Sequence, residues 1–162
     1  MIQYIDNESI FDTRCDVIVN SVNCVGVMGK GIAKEFKERC PKMYDDYRNA
    51  CKLGQLQPGK FHWFCIDSLF NKGPKWILNF PSKLDWKKPS KYDYIILGFE
   101  SLIHDISVDK THRMKSFAFP LLGCGIGGLD PECIKGLFVK YFEHQDNIDI
   151  KLYINTTKKH EN

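Results

Sequence analysis

The sequence predicts an α/β domain in which helices cover both faces of a sheet. Apolar, strand-like runs alternate with amphipathic helical segments along the 162 residues, an order typical of α/β proteins. Two of the apolar runs lead into glycine-rich loops that are themselves followed by helices. At this length, and with 43% apolar residues, the chain can bury one core and is expected to form one domain.

Each element follows from a local pattern in the sequence. Apolar runs predict strands at 17–19, 61–66, 76–80, 117–122 and 148–154. Helical periodicity predicts helices at 31–39, 41–53, 90–106 and 130–144. Ser90 is the predicted N-cap of the third helix. Asp130 and Pro131 supply a capping acid and a first-turn proline for the fourth.

Composition narrows the classes of function. The net charge of +3 is too small to indicate nucleic-acid binding by itself. No apolar run approaches the ~20 residues that cross a bilayer, and the first residues do not resemble a signal peptide. Seven cysteines without a C-x-x-C pair, and scattered histidines, favour reduced thiols. We therefore expect a cytoplasmic monomer with no membrane contact, no metal and no cofactor.

The two glycine-rich loops are the main functional signal. The first spans 20–31 and the second spans 123–128, each directly after a predicted strand. Glycine permits close approach of the backbone to a ligand, and a helix N-terminus offers N–H groups to an anion. Too little chain follows Gly128 for a Rossmann domain, and no Ser or Thr follows Lys30 as a Walker loop requires. Two such loops in one domain predict a crevice for a nucleotide diphosphate.

The sequence pattern allows two interpretations for several side chains near these loops. Asn20 is expected to turn the backbone, whereas Asn23 either turns it or offers its amide to ligand hydroxyls. Lys83 is either a solvated lysine or an amine that burial or nearby positive charge makes nucleophilic. Cys124 is interpreted as a small loop residue rather than a nucleophile. The residue physics alone does not choose between these alternatives.

Three segments, taken together, resemble the macrodomain family, in particular its ALC-like branch and the DarG antitoxins. The first ligand loop of that branch is similar to 20–33, NSVNCVGVMGKGIA. The stretch that carries its reactive lysine is similar to 79–83, NFPSK, and its phosphate loop is similar to 120–130, PLLGCGIGGLD. The three segments occur in the family's order, and the resemblance covers almost the whole chain.

This resemblance implies a three-layer α/β/α macrodomain with a central mixed sheet over residues 1–155, followed by a polar tail at 156–162. It also implies an enzyme that binds ADP-ribose and removes it from a modified target, first of all from thymidine in ADP-ribosylated DNA. Lys83 would attack the anomeric carbon of the distal ribose, and Asn23 would orient that ribose. The implied ADP-ribose contacts are Ser9, Ile10, Asn23, Gly29, Lys30, Gly31, Ile32, Gly123, Cys124, Gly125, Ile126, Gly127, Gly128 and Leu129.

Two departures from the family pattern leave alternatives open. The related protein glycohydrolases carry an aspartate where this chain has Gly127, which favours DNA over protein as the modified target. The usual Gly-Asp that holds adenine is Glu8-Ser9 here, so Ser9, Asp6 and Asp12 are the candidates for that contact.

The alternatives to a DNA substrate are ADP-ribosyl esters, on protein glutamate or in O-acetyl-ADP-ribose, and a non-catalytic ADP-ribose reader. Phosphatase activity on ADP-ribose 1''-phosphate is a further alternative, ranked below these. If DNA is the substrate, Lys87, Lys88 and Lys91 are the candidate phosphate contacts.

Overall fold

The computed structural model describes residues 1–66, 72–108 and 114–155. It contains six strands, four helices and one short 3₁₀ turn in these ranges. In chain order the elements are β1 (Ile2–Ile5), the 3₁₀ turn (Ile10–Asp12), β2 (Val17–Val22), α1 (Gly31–Arg39), α2 (Pro41–Lys52), β3 (His62–Cys65), β4 (Trp76–Pro81), α3 (Tyr92–Ser107), β5 (Ser116–Pro120), α4 (Pro131–Phe142) and β6 (Asp149–Tyr153). The predicted tail at 156–162 lies outside the described residues.

The strands form one mixed sheet in the order β1-β6-β5-β2-β4-β3. All neighbours are parallel except the edge strand β3, which runs antiparallel to β4. The carboxyl ends of β5, β2 and β4 are therefore adjacent at one edge of the sheet. This order brings together the two glycine-rich loops and the Lys83 segment, which follow those three strands.

Helices pack on both faces of the sheet, which confirms the predicted three-layer α/β/α architecture. On one face, α3 and α4 bury an aromatic core in which Phe99 contacts the rings of Phe80, Phe119, Phe138 and Phe142. On the other face, α1, α2 and the 3₁₀ turn cover a second core. No helix among residues 1–66, 72–108 and 114–155 is both long and apolar enough to cross a membrane.

The structure differs from the sequence-based predictions of the fold in one missing strand and one helix cap. Strand β1 was not predicted, since it is a four-residue edge strand that pairs only with β6, far away in sequence. Ser90 does not cap α3: Lys91 takes the N-cap position and offers no side-chain hydrogen bond, while Ser90 is buried against the second glycine-rich loop. The cap at Asp130 is confirmed, because its carboxylate accepts a hydrogen bond from Glu132 N at 2.8 Å.

A close contact between α3 and the sheet depends on Gly98. A Cβ at this position of α3 would overlap the ring of Phe80, lying 2.6 Å from Cε2 and 2.7 Å from Cε1. Phe80 is fully buried on β4, three residues before Lys83, and cannot rotate away without opening the core. Gly98 therefore sets the spacing between α3 and the strand that leads to the site.

We expect Gly98→Ala to lower the free energy of unfolding by about 2–3 kcal/mol, the cost of overpacking a filled core. Urea denaturation followed by circular dichroism measures this difference. The matched control is Gly136→Ala in α4, where a Cβ meets nothing within 4 Å. That control should gain about 0.5–1 kcal/mol from helix propensity. Equal effects at the two positions would contradict the packing argument.

Candidate active site

In the structure, residues 20–22 of the predicted first glycine-rich loop belong to β2, and the loop that follows, from residue 23 to the start of α1 at Gly31, is organised by the side chain of Asn23. Its Oδ1 accepts hydrogen bonds from the backbone N–H groups of Val25 (3.1 Å) and Val27 (3.3 Å), and its Nδ2 donates to Val27 O (2.7 Å). The Tyr47 hydroxyl donates to the same residue, 2.7 Å from its backbone O and 2.9 Å from Oδ1. Burial raises the pKa of Tyr47, which keeps this hydroxyl protonated as a donor. Asn23 thus fixes the loop conformation while one Nδ2 hydrogen stays available to a ligand.

The same loop leads into a helix end suited to an anion. Gly31 begins α1 with φ +60°, a left-handed conformation that favours glycine. No side chain caps α1, and its first turn carries no acidic residue. The first N–H groups of the helix are therefore open to a negatively charged ligand. Gly29 and Lys30 directly precede this helix start, with Lys30 at the N-cap, and Ile32 lies in its first turn.

Lys83 is held beside the first loop by continued pairing of the strands that precede them. The backbone N–H groups of Ser82 and Lys83 both donate to Val22 O, at 2.9 and 3.4 Å. In the opposite direction, Cys24 N donates to Leu84 O at 3.2 Å. The Lys83 side chain is half-buried, and it takes part in none of the salt bridges formed by the described residues. The Lys83 backbone therefore lies beside the first ligand loop, and its amine remains a candidate nucleophile.

The second glycine-rich loop, residues 123–128, is a tight turn packed on Ser90. Gly123 has φ +72°, and its carbonyl accepts from Leu129 N at 2.9 Å. Gly127 O accepts from Ser90 N at 3.1 Å. A Cβ at Gly127 would overlap both Ser90 Oγ and Gly123 O, so this loop has no room for a side chain there.

The two loops approach each other from opposite sides of the crevice. Ile126 is 61% exposed, and its Cδ1 lies 3.7 Å from the position of a Cβ on Gly31. The exposed backbone of Gly125 and Gly128 lies on the same loop. A ligand between the loops would have backbone N–H donors on both sides and an apolar side chain over it.

The loop cysteines are unsuited to nucleophilic attack. Burial raises the pKa of Cys24 to about 11 and that of Cys124 to about 11. At neutral pH both thiols stay protonated, and the thiolate is the reactive form. All seven cysteines are free, and Lys83 remains the nucleophile candidate next to the loops.

The candidates for adenine recognition lie in and around the 3₁₀ turn, which packs against β5. Ser9 caps this turn, with Oγ accepting from Phe11 N at 3.3 Å, and keeps its own proton to donate. Ile10 is fully buried in the core, so only its backbone is available to a ligand. Asp6 is bound to Asn7 N and to the side chain of Asn155, whereas Asp12 is exposed.

Comparisons with known proteins agree with this geometry. The family model described as Macro domain matches residues 19–135, a range that contains both loops and Lys83. This chain belongs to the macrodomain family. A DNA ADP-ribosyl glycohydrolase from Mycobacterium tuberculosis is 45% identical over 138 residues, which cover 85% of this chain and 38% of that relative. The macrodomain therefore spans about two fifths of the curated relative's length.

Solved structures of relatives share the architecture. The macrodomain of Mycobacterium tuberculosis DarG superposes with a TM-score of 0.86 at 41% identity, covering 94% of this chain and 97% of that one. Thermosipho africanus DarTG in complex with ADP-ribose gives a TM-score of 0.82 at 29% identity, covering 97% of this chain and 42% of that one. The predicted macrodomain fold is confirmed.

A buried polar ladder beneath the site was missed by the sequence reasoning. The prediction that Asn20 turns the backbone is wrong. Asn20 lies inside β2, where its Nδ2 donates to Asn79 Oδ1 at 3.0 Å. Asn79 Nδ2 lies 2.9 Å from His62 Nδ1, and His62 Nε2 lies 2.7 Å from Asp46 Oδ2. Since the Asn79 amide donates to Nδ1, the His62 proton is assigned to Nε2.

The ladder cross-links three neighbouring strands of this macrodomain next to the site. Asn20, Asn79 and His62 are direct partners in the strand register, so their side chains meet across β2, β4 and β3. Buried polar groups of this kind specify one register, because any slip would leave them unpaired. The sequence signal is a polar residue, Asn20, Asn79 or His62, within each of three mainly apolar strands, and it can be interpreted only when the strand order is known.

Proposed function

We propose that this macrodomain is an ADP-ribosyl hydrolase that releases ADP-ribose from thymidine in ADP-ribosylated DNA, with Lys83 as the nucleophile. The observation that carries the proposal is the position of Lys83. Its backbone is hydrogen-bonded to Val22, one residue before Asn23, at the edge of the sheet that carries both ligand loops. The relative named DNA ADP-ribosyl glycohydrolase and the relative solved with ADP-ribose support the substrate and the ligand.

ADP-ribose would lie between the two loops. The pyrophosphate would accept hydrogen bonds from the start of α1, at Gly29, Lys30 and Gly31, and from the backbone of the second loop. Asn23 would use its remaining Nδ2 hydrogen on a hydroxyl of the distal ribose. This arrangement would place the anomeric carbon near Lys83, and the apolar Ile126 would reduce access of water to the bond under attack.

The choice of DNA over ester substrates rests on the second loop. A carboxylate there would assist Lys83 as an acid or base, but Gly127 has no room for one. In this proposal the domain acts as an antitoxin that restores DNA after its modification. It acts as a monomer in the cytoplasm, where seven free thiols stay reduced.

The test is a side-by-side measurement of ADP-ribose release from two substrates. One is a single-stranded oligonucleotide with one ADP-ribosylated thymidine, and the other is O-acetyl-ADP-ribose. We expect a higher kcat/KM on the oligonucleotide. Faster release from the ester would overturn the DNA assignment. ADP-ribose binding by calorimetry with no release from either substrate would identify a reader rather than an enzyme.

Charge reversal at Lys87 and Lys88 should slow turnover of DNA but not of the ester. Both side chains are exposed shortly after Lys83, where they can contact phosphates next to the modified nucleotide. We expect Lys87→Glu/Lys88→Glu to lower kcat/KM on the oligonucleotide about tenfold at low salt, and less at high salt, because phosphate contacts are salt-dependent. The control is Lys140→Glu, at the far end of α4. A loss on both substrates would mean that the lysines support the fold instead.

A further inference from the structure

The turn directly after Lys83 presents an uncovered indole. Trp86 is 53% exposed, although tryptophan normally buries most of its surface. The other two tryptophans of the chain differ, since Trp63 and Trp76 pack against the core and against each other with ring centroids 6.3 Å apart. Among the described residues, Trp86 forms no aromatic pair. Burial in the core does not account for this side chain.

The backbone around Trp86 is fixed although the side chain is uncovered. Asp85 Oδ1 accepts from Lys87 N at 3.0 Å, and Asp85 O accepts from Lys88 N at 3.1 Å. The preceding residue, Leu84, is hydrogen-bonded to Cys24 in the first ligand loop. A rigid turn that exposes an aromatic ring loses little conformational entropy when a partner binds.

The surroundings of the indole are positively charged. Lys87 Nζ lies 5.1 Å from the centre of the Trp86 ring, and Lys88 is exposed beside it. Lys91 follows, with its Nζ 5.9 Å from the ring of Tyr94. The only carboxylate between residues 83 and 91 is Asp85, which accepts a backbone hydrogen bond in the turn. An aromatic ring among cations complements a nucleic acid strand, whose bases stack while its phosphates bind lysine.

We propose that Trp86 is a base-stacking residue that binds the nucleotide next to the ADP-ribosylated one in single-stranded DNA. The inference rests on the proposed function, because Lys83 defines where the modified nucleotide lies. Three residues span at most about 11 Å, so the indole is within reach of a neighbouring base. Lys87 and Lys88 contact the flanking phosphates. A duplex is excluded as the preferred form, since its paired and stacked bases offer no free face to an indole.

The test combines a protein variant with a change in the DNA. The substrates are single-stranded oligonucleotides with one ADP-ribosylated thymidine and a normal or abasic nucleotide on its 5′ or 3′ side. We expect Trp86→Ala to lower kcat/KM on the normal strand on the order of 10-fold. On one of the two abasic strands wild type should lose the same factor, and Trp86→Ala should lose nothing more. Trp86→Phe should restore most of the rate.

Two controls separate stacking from a structural role. Turnover of O-acetyl-ADP-ribose should be equal for wild type and Trp86→Ala. Val108→Ala, an exposed apolar residue beyond the far end of α3, should change neither substrate. Equal losses of turnover on DNA and on the ester would overturn the proposal. It would also be overturned if Trp86→Ala caused its full loss of kcat/KM on both abasic strands.

A binding measurement keeps this inference distinguishable from the proposed function. Unmodified single strands should quench the fluorescence of wild type but not of Trp86→Phe, and the matching duplex should quench less. If no substrate is cleaved but this quenching occurs, the proposal of hydrolase activity is contradicted and the proposal of base stacking by Trp86 is supported. If DNA is cleaved and Trp86→Ala binds and cleaves the single strand like wild type, only the stacking proposal falls.

Discussion

Lys83→Ala is expected to lower ADP-ribose release from ADP-ribosylated DNA about 10³-fold or more while leaving ADP-ribose affinity within about threefold of wild type. The large kinetic effect follows because removal of a nucleophile eliminates the covalent route. The small effect on affinity follows because, in the proposed binding mode, the loops on both sides of the crevice rather than Lys83 would supply the pyrophosphate contacts. Release is measured by chromatography of free ADP-ribose, and affinity by calorimetry.

The chemistry of the step provides a second readout. In the proposed mechanism, the Lys83 amine would lose a proton and form a bond to the anomeric carbon as the bond from that carbon to the base breaks, and the base would leave with a proton. The glycosylamine opens to an imine, which water hydrolyses to free ADP-ribose and the amine. Cyanoborohydride should therefore trap ADP-ribose on wild type as a stable secondary amine, detected by intact mass.

Two further variants serve as controls for the Lys83→Ala result. Lys83→Arg keeps the positive charge without a nucleophilic amine and should be as inactive as Lys83→Ala, with no trapped adduct. Lys140→Ala, at the far end of α4, should behave as wild type. Activity of Lys83→Arg near the wild-type level would show that the residue acts through its charge alone.

Elements defined by local patterns were predictable, whereas features defined by pairing between distant residues were not. The strands beside the glycine-rich loops are apolar runs, and α4 begins at an Asp-Pro pair, so each carries its own signal. Strand β1 has exposed Gln3 and Tyr4 and becomes a strand only through β6. Because β6 lies at the other end of the chain, the sequence around β1 does not indicate this pairing.

The same distinction applies to the site. The two glycine-rich loops were predicted from their own local pattern, and the resemblance then implied the roles of Asn23 and Lys83. The strand order explains why these segments lie together. Ser90 was assigned to a helix cap because serine favours that position, but its burial against Gly127 is a tertiary contact. The polar ladder through Asn20 and His62 could not be predicted either, because its residues meet only when β2, β4 and β3 pair in the folded sheet.

Gly127→Asp introduces the carboxylate that the related protein glycohydrolases carry, and it is expected to inactivate this macrodomain instead of giving it ester activity. A Cβ at this position would overlap Ser90 Oγ and Gly123 O, which are held by the turn itself and by the packing of α3. The new carboxylate would also lie against the Gly123 carbonyl oxygen, which repels it. We expect loss of at least about 100-fold on both substrates, weaker ADP-ribose binding, and a Tm lower by several degrees.

Two further variants separate the steric effect from the charge. Gly127→Ala carries the same Cβ without a carboxylate, so it should lose most of the same stability. Gly125→Ala adds a Cβ that meets nothing within 4 Å in the same loop, and its Tm should stay close to that of wild type. A stable Gly127→Asp with faster ester turnover would show that the loop can open to admit an acid. The expected loss would instead mean that the second loop and Ser90 are adapted to each other, and it would agree with the proposal that Lys83 acts without a carboxylate from position 127.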